Sequence, residues 1–261
     1  MSIRVNNISK NYGSQKALNN VSFEVGSSEI VGFLGPNGAG KSTMMKILTC
    51  YIPPSNGQAS VCGFDVATQS LDVRKQIGYL PEHNPLYLDM YVKEFLAFTG
   101  SIYKLKNTKQ RVADMIHITG LSLEQNKKIG ALSKGYRQRV GLAQAMIHDP
   151  KVLIMDEPTT GLDPNQLEEI RTLIKSLGKQ KTVMLSTHIM QEVEAICDRV
   201  IIINKGEIVA NDQTGSLRRN STRQIITVEF DKPVNQNLLE TINGIDAVKN
   251  TGGNTWQLSS S

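Results

Sequence analysis

Short apolar runs and helical periods alternate along most of this chain. Ile30–Leu34, Lys151–Met155, Thr182–Ser186 and Arg199–Ile203 are nearly continuous apolar runs of strand length. Runs of that kind predict strands buried on both faces. Between them, Lys41–Thr49, Asn165–Leu177 and Ile189–Cys197 repeat apolar residues every three or four positions, which predicts helices. This rhythm predicts an α/β fold with a mostly parallel sheet flanked by helices. Ile3–Asn6 and Val21–Val25 alternate apolar with polar residues and predict an antiparallel edge sheet.

The rhythm breaks twice. Tyr91–Leu105 carries Val92, Phe95, Leu96, Phe98, Ile102 and Leu105 at helical spacing, and Arg111–Ile118 follows with a second helical pattern. Two helices with no strand between them predict an all-helical insert over about residues 86–149, its aromatics packed as core. Near the end, Gln224–Phe230 reads as a strand and Asn235–Ile242 as a helix. Ile245–Val248 and Thr255–Leu258 are placed to pair across the Asn250–Asn254 turn. The expected organisation is one domain over residues 1–215 and a small α+β extension over 216–261. The β-α-β-β order of that extension is half of a ferredoxin-like fold, and it is expected to be incomplete.

Composition narrows the class of protein. With 39% hydrophobic and 20% charged residues in 261, the chain reads as an ordinary globular protein. A net charge of +5, spread along the chain, describes a solvated surface rather than a nucleic-acid platform, so no nucleic-acid partner is expected. The three cysteines, Cys50, Cys62 and Cys197, share no metal-like spacing and predict reduced thiols in a cytosolic compartment. No stretch approaches the roughly 20 apolar residues that span a bilayer. If the protein works on a membrane, a partner must hold it there.

The chemistry concentrates in Gly35, Pro36, Asn37, Gly38, Ala39, Gly40, Lys41, Ser42 and Thr43, which fit G-x-x-x-x-G-K-S/T between a predicted strand and a predicted helix. Glycines let successive N–H groups and a helix N-terminus surround phosphates. Lys41 can reach the β- and γ-phosphates of ATP, the Ser42 hydroxyl can ligate Mg²⁺, and Thr43 is placed to meet the α-phosphate. A second element ends the apolar run Val152–Met155 in Asp156 and Glu157. An acid at the tip of a buried strand can hold Mg²⁺ through water, and the next acid can act as general base toward the attacking water.

Between these elements, Leu132-Ser-Lys-Gly-Tyr-Arg-Gln-Arg-Val140 resembles the signature of the ATP-binding cassette (ABC) family, usually written LSGGQ. Read locally, Ser133 could simply cap the helix Tyr136–Ile147. Together the motifs identify the chain as similar to the ATP-binding subunits of ABC transporters, P-loop NTPases, over residues 1–215. The resemblance implies that Tyr12 stacks on adenine, that His188 touches the γ-phosphate, and that Gly161-Leu162-Asp163 bridges two subunits. It implies a head-to-tail homodimer in which ATP on Lys41 of one copy is capped by Ser133 and Gly135 of the other. It also implies integral membrane permease subunits and a location on the cytoplasmic face of the inner membrane. The stretch from Leu132 to Gln166 resembles gliding-motility-associated ABC transporters, in the exporter-like branch of the family.

This chain departs from the family pattern at Glu82, where a glutamine is usual, and at Lys134 and Tyr136, where glycine and glutamine are usual. Glu82 adds negative charge near the phosphates but can still accept from metal-bound water. A second reading, a soluble ABC-type ATPase acting on nucleic acid or the ribosome, calls for tandem cassettes or a long coiled coil. A single cassette without sustained heptads counts against it. A third, a scaffold without hydrolysis, is disfavoured by Glu157 and His188. Tyr79, Pro85, Leu86 and Tyr87 are candidates for contacting a membrane subunit.

Overall fold

The computed structural model describes residues 1–215 and 224–260. Its first unit, Met1–Asn211, opens with the hairpin β1 (Ile3–Tyr12) and β2 (Gln15–Val25), then β3 (Ile30–Leu34) and α1 (Lys41–Leu48). Strands β4 (Asn56–Val61) and β5 (Phe64–Asp65), helix α2 (Ser70–Gln76) and strand β6 (Ile77–Leu80) follow. The insert supplies α3 (Val92–Ile102), α4 (Thr108–Ile118) and α5 (Lys134–Met146). The chain continues through β7 (Val152–Asp156), α6 (Pro164–Gly178), β8 (Thr182–Thr187), α7 (Met190–Ile196), β9 (Arg199–Asn204) and β10 (Glu207–Gln213).

Two sheets enclose α1. The larger has the order β10-β9-β3-β8-β7-β6, and the pairs β9/β3, β3/β8, β8/β7 and β7/β6 are all parallel. The smaller, β2-β1-β4-β5, is antiparallel. Met44, Met45, Ile47 and Leu48 of α1 are buried between them, with Val5, Phe23 and Val61 on one side and Ile154 and Met184 on the other. Burying side chains of this size contributes about 1.5–3 kcal/mol each. The helix that carries Lys41 at its start is thereby anchored.

Several local expectations change. The edge strands are longer than the alternation suggested, because register shifts between Val5, Ile8, Lys10 and Asn11 let β1 keep its pairing past the irregularities. Helix α5 begins two residues earlier than expected, since Ser133 accepts from Tyr136 N and caps it. The insert's aromatics are not all core: Phe95 is buried, but Phe98 and Ile102 are exposed. Tyr87 packs on both Phe95 and Phe98 at ring separations of 5.9 and 6.0 Å. No disulfide joins the three cysteines; Cys197 is buried and Cys62 only partly so.

The second unit, Asp212–Ser261, contains β11 (Gln224–Glu229), α8 (Gln236–Glu240), β12 (Ala247–Gly252) and β13 (Thr255–Ser260). The order is β11-β13-β12 with both pairs antiparallel, so β13 lies between two strands joined through a helix. Leu239, Trp256 and Leu258 form its core. The hairpin turn tightens to Gly253-Asn254, which Gly252 and Gly253 allow with φ of 137° and 56°.

His148 joins the insert to the large sheet. Its ring stacks on Tyr103 at 4.1 Å, and Nε2 donates to the Ile77 carbonyl at 3.0 Å in the neutral tautomer. Nδ1 is buried without a partner, so a second N–H there would point at nothing. Burial accordingly pushes the His148 pKa below the usual histidine value, against the Ile77 carbonyl, which pulls it up. The unfolded chain takes up this proton first, so the folded state loses stability as pH falls through the unfolded value of about 6.5. We expect the urea midpoint to drop between about pH 7 and pH 5.5 and this drop to shrink in His148→Gln. An equal drop in the variant would assign it to another group.

Candidate functional site

The glycine-rich loop leaves β3 and turns into α1 under close contact on both sides. A Cβ at Gly35 would collide with the Ile203 carbonyl. One at Gly40 would sit 2.7 Å from the Ala17 carbonyl, and Gly40 also adopts φ 109°. Only glycine meets both demands. Gly35 N donates to Thr187 O and Gly206 N to Ala39 O, which tie the loop to β8 and to the turn after β9. No side chain caps α1, and the first-turn N–H groups of a helix have no intrahelical acceptor. An anion is the natural partner for them.

Lys41 is 6% exposed and turns back into the loop. Its Nζ donates to the Gly35 and Pro36 carbonyls at 2.7 and 3.2 Å and lies 3.4 Å from Glu157 Oε1. The parallel register makes that meeting possible. Leu34 pairs with Thr187, and Asp156 with Ser186, so β3, β8 and β7 end side by side. In open α/β sheets, ligands bind beyond the carboxyl ends of the strands.

Asp156 and Glu157 are both buried at the end of β7. Ser186 Oγ donates to Asp156 Oδ1 and accepts from Glu157 N at 3.1 Å. That clamp holds Glu157 at φ 49°, a left-handed conformation that costs a non-glycine residue about 1–3 kcal/mol. Its carboxylate meets His188 Nδ1 at 3.0 Å and Thr160 Oγ1 at 3.2 Å. His188 follows β8 directly and is partly exposed.

Lys41, Glu157, Thr160 and His188 share one cleft of about 610 Å³, lined also by Tyr12, Gln15, Asn37, Ser42, Thr43 and Glu82. Tyr12 is half exposed at the tip of the β1–β2 hairpin, with Lys10 Nζ 5.4 Å from its ring centre. A second groove of about 490 Å³ adjoins it, where Ser42, Glu82 and Asp156 meet Tyr79, Asn84, Pro85 and Gln144. Burial, with Asp156 and Glu82 nearby, pushes the Tyr79 phenol well above its usual pKa and keeps it protonated.

Ser133 and Gly135 are not among the residues that line the cleft. They lie at the start of α5, where Gly135 packs against the Gln166 side chain and Lys134 Nζ lies over Gly161. Asp163 caps α6 through Gln166 N at 2.9 Å. Sequence reasoning missed Ser186, Thr160, Asn84 and Gln138. A lone polar residue in a run such as Thr182–Thr187 carries no local signal, and only the pairing register sets Ser186 beside Asp156.

Comparisons with known proteins agree with this geometry. A family model described as ABC transporter matches residues 18–160. The ABC transporter ATP-binding protein NatA of Bacillus subtilis (strain 168) is 41% identical over 219 residues, covering 82% of this chain and 89% of NatA. The bacitracin transport ATP-binding protein BcrA of Bacillus licheniformis is 34% identical, covering 85% of this chain and 73% of BcrA. Among solved structures, the ATP-binding cassette MJ0796, dimeric in a post-hydrolysis state with ADP and Pi, superposes with a TM-score of 0.73 at 26% identity. That match covers 81% of this chain and 98% of the cassette. With its parallel sheet, phosphate loop and strand-end acids, the chain belongs to the ABC transporter family, as an ATP-binding and ATP-hydrolysing subunit.

Proposed function

We propose that this chain is the ATPase of an exporter, working as a homodimer on the cytoplasmic face of the inner membrane and driving separate membrane subunits. The observation that carries this reading is the convergence of Lys41, Glu157 and His188 on one cleft while Ser133 and Gly135 of the same chain lie outside it. A site with its signature elsewhere is completed by a second copy. ATP then lies between Lys41 of one protomer and Ser133 and Gly135 of the other, with adenine on Tyr12. The dimeric cassette MJ0796, which holds ADP and Pi, supports that arrangement.

Lys41 exchanges the Gly35 and Pro36 carbonyls and the Glu157 carboxylate for β- and γ-phosphate oxygens. This releases Glu157 to accept a proton from the attacking water, and His188 is then held against the γ-phosphate. Ser42, Asp156 and Glu82 suit Mg²⁺, because all are hard oxygen donors meeting in one groove. Mg²⁺ bound there would offset the negative charge that develops on the phosphates. Among the described residues no three His, Cys, Asp or Glu cluster as a metal cage. Magnesium sites built on substrate phosphates use only one or two carboxylates.

Among the described residues no helix is long and apolar enough to cross a membrane. The proposed docking surface for a membrane subunit is the groove containing Tyr79 and Pro85, with Leu86 and the exposed Tyr87 beside it. The bacitracin relative supports transport, and the wording of Leu132–Gln166 supports a gliding-motility-associated exporter. Affinity-tagged protein recovered from detergent-solubilised membranes is expected to bring an integral membrane protein with it. Tyr87→Asp should lose that protein while keeping ATP affinity. Recovery with ribosomes or nucleic acid, and no membrane protein, would overturn the transport reading.

A further inference from the structure

A buried carboxylate outside the phosphate cleft links the two loops that carry Glu157 and His188. Glu192, in α7, is 3% exposed. Its Oε2 accepts from Thr187 Oγ1 at 2.8 Å and from Thr159 Oγ1 at 2.5 Å. Thr187 immediately precedes His188, and its hydroxyl also accepts from Ile189 N at 3.1 Å. One oxygen therefore engages both flanks of the histidine.

On the other side, Thr159 lies two residues past Glu157. Its neighbour Thr160 donates to Glu157 Oε2, and Pro158 O accepts from Gln138 of α5 at 2.9 Å. The segment from Glu157 to Thr160 is thus tied to the side chains of Ser186, Gln138 and Glu192, the first two through its backbone and the third through the Thr159 hydroxyl. Ser186, two residues before His188, ties the Glu157 backbone to the end of β8, and Glu192 adds a second tie between Thr159 and Thr187. Acceptors this deeply buried hold their donors firmly, since a hydroxyl left unpaired there costs about 1–3 kcal/mol.

We infer that Glu192 is a positioning residue for ATP hydrolysis: through Thr159 and Thr187 it sets the distance between the Glu157 carboxylate and the His188 imidazole. The inference rests on the proposed roles of Glu157 and His188. Glu192 is not among the residues that line the cleft, so its effect belongs to the chemical step and not to ATP binding.

The test is steady-state ATPase kinetics with the full chain. Glu192→Leu removes the acceptor while keeping similar volume, and a displacement of about 1 Å between reacting groups costs up to about a hundredfold in rate. We expect kcat to fall about ten- to a hundredfold with KM for ATP within about twofold. Glu192→Gln, which keeps an acceptor oxygen, should restore most of the rate. Thr159→Val and Thr187→Val should each lower kcat, and their double variant should lose less than the product of the two effects. These two also serve if Glu192→Leu does not fold. A wild-type kcat in Glu192→Leu, or in both threonine variants, overturns the inference; so does a parallel loss of ATP affinity. A Glu157→Gln variant assayed alongside separates the two levels: if it turns over like wild type, the underlying reading fails, whereas inactivity beside a fully active Glu192→Leu sinks only the positioning role.

Discussion

Lys41→Ala is expected to lose ATP affinity by about two to four orders of magnitude. Lys41 would make two charged hydrogen bonds, to the β- and γ-phosphates, each contributing about 1.5–3 kcal/mol, and each 1.4 kcal/mol is tenfold in Kd. The ammonium sits at the loop's floor, where it already satisfies the Gly35 and Pro36 carbonyls. Its removal leaves two carbonyls and the buried Glu157 carboxylate facing the site without it, so incoming phosphate meets negative charge where it would have met positive. Calorimetric titration with Mg-ATP measures the effect, and a circular dichroism melt separates it from unfolding. Unchanged affinity in a folded variant would remove the phosphate cradle from the account.

The second large effect is expected at Glu157. Glu157→Gln preserves size and an acceptor for Thr160 but loses the basicity needed to take a proton from water. General-base catalysis contributes about 10²–10⁴-fold, so kcat should fall by that range while ATP binding persists. Lys41 would then face a neutral amide in place of a carboxylate at 3.4 Å, which favours its transfer to phosphate. With binding intact and hydrolysis blocked, the ATP-bound dimer should accumulate. Light scattering after size exclusion reads that accumulation directly. Hydrolysis at the wild-type rate would mean that another group activates the water.

Both predictions concern residues that stand out in the sequence, and the reason is physical. Phosphate binding by backbone amides needs glycines, a lysine and a hydroxyl at fixed spacing within one strand–loop–helix unit. That requirement is local, so Gly35–Thr43 is legible without knowing where the rest of the chain goes. The apolar run ending in Asp156-Glu157 is legible for the same reason, because burial on both faces leaves its mark on consecutive residues. The partners that act on those residues are not. Ser186 stands among apolar neighbours with no pattern to mark it, and Glu192 reads as one more acid on a helix. Phe98 and Ile102 fit a core period as well as Phe95 does, and only packing reveals which side of α3 stays exposed.

The sequence alone therefore determined the chemistry on offer: a triphosphate loop, a strand-end pair of acids, an alternating α/β order and a helical insert. Only the tertiary structure decided who meets whom. The order β3-β8-β7-β6 brings residues 35, 188, 157 and 82 to the carboxyl end of one sheet, although they are spread over more than half of the chain. It also leaves Ser133 and Gly135 away from their own chain's cleft. Strand order and register arise from how helices cover both faces of a sheet, an energy summed over the whole core, and no local period encodes it.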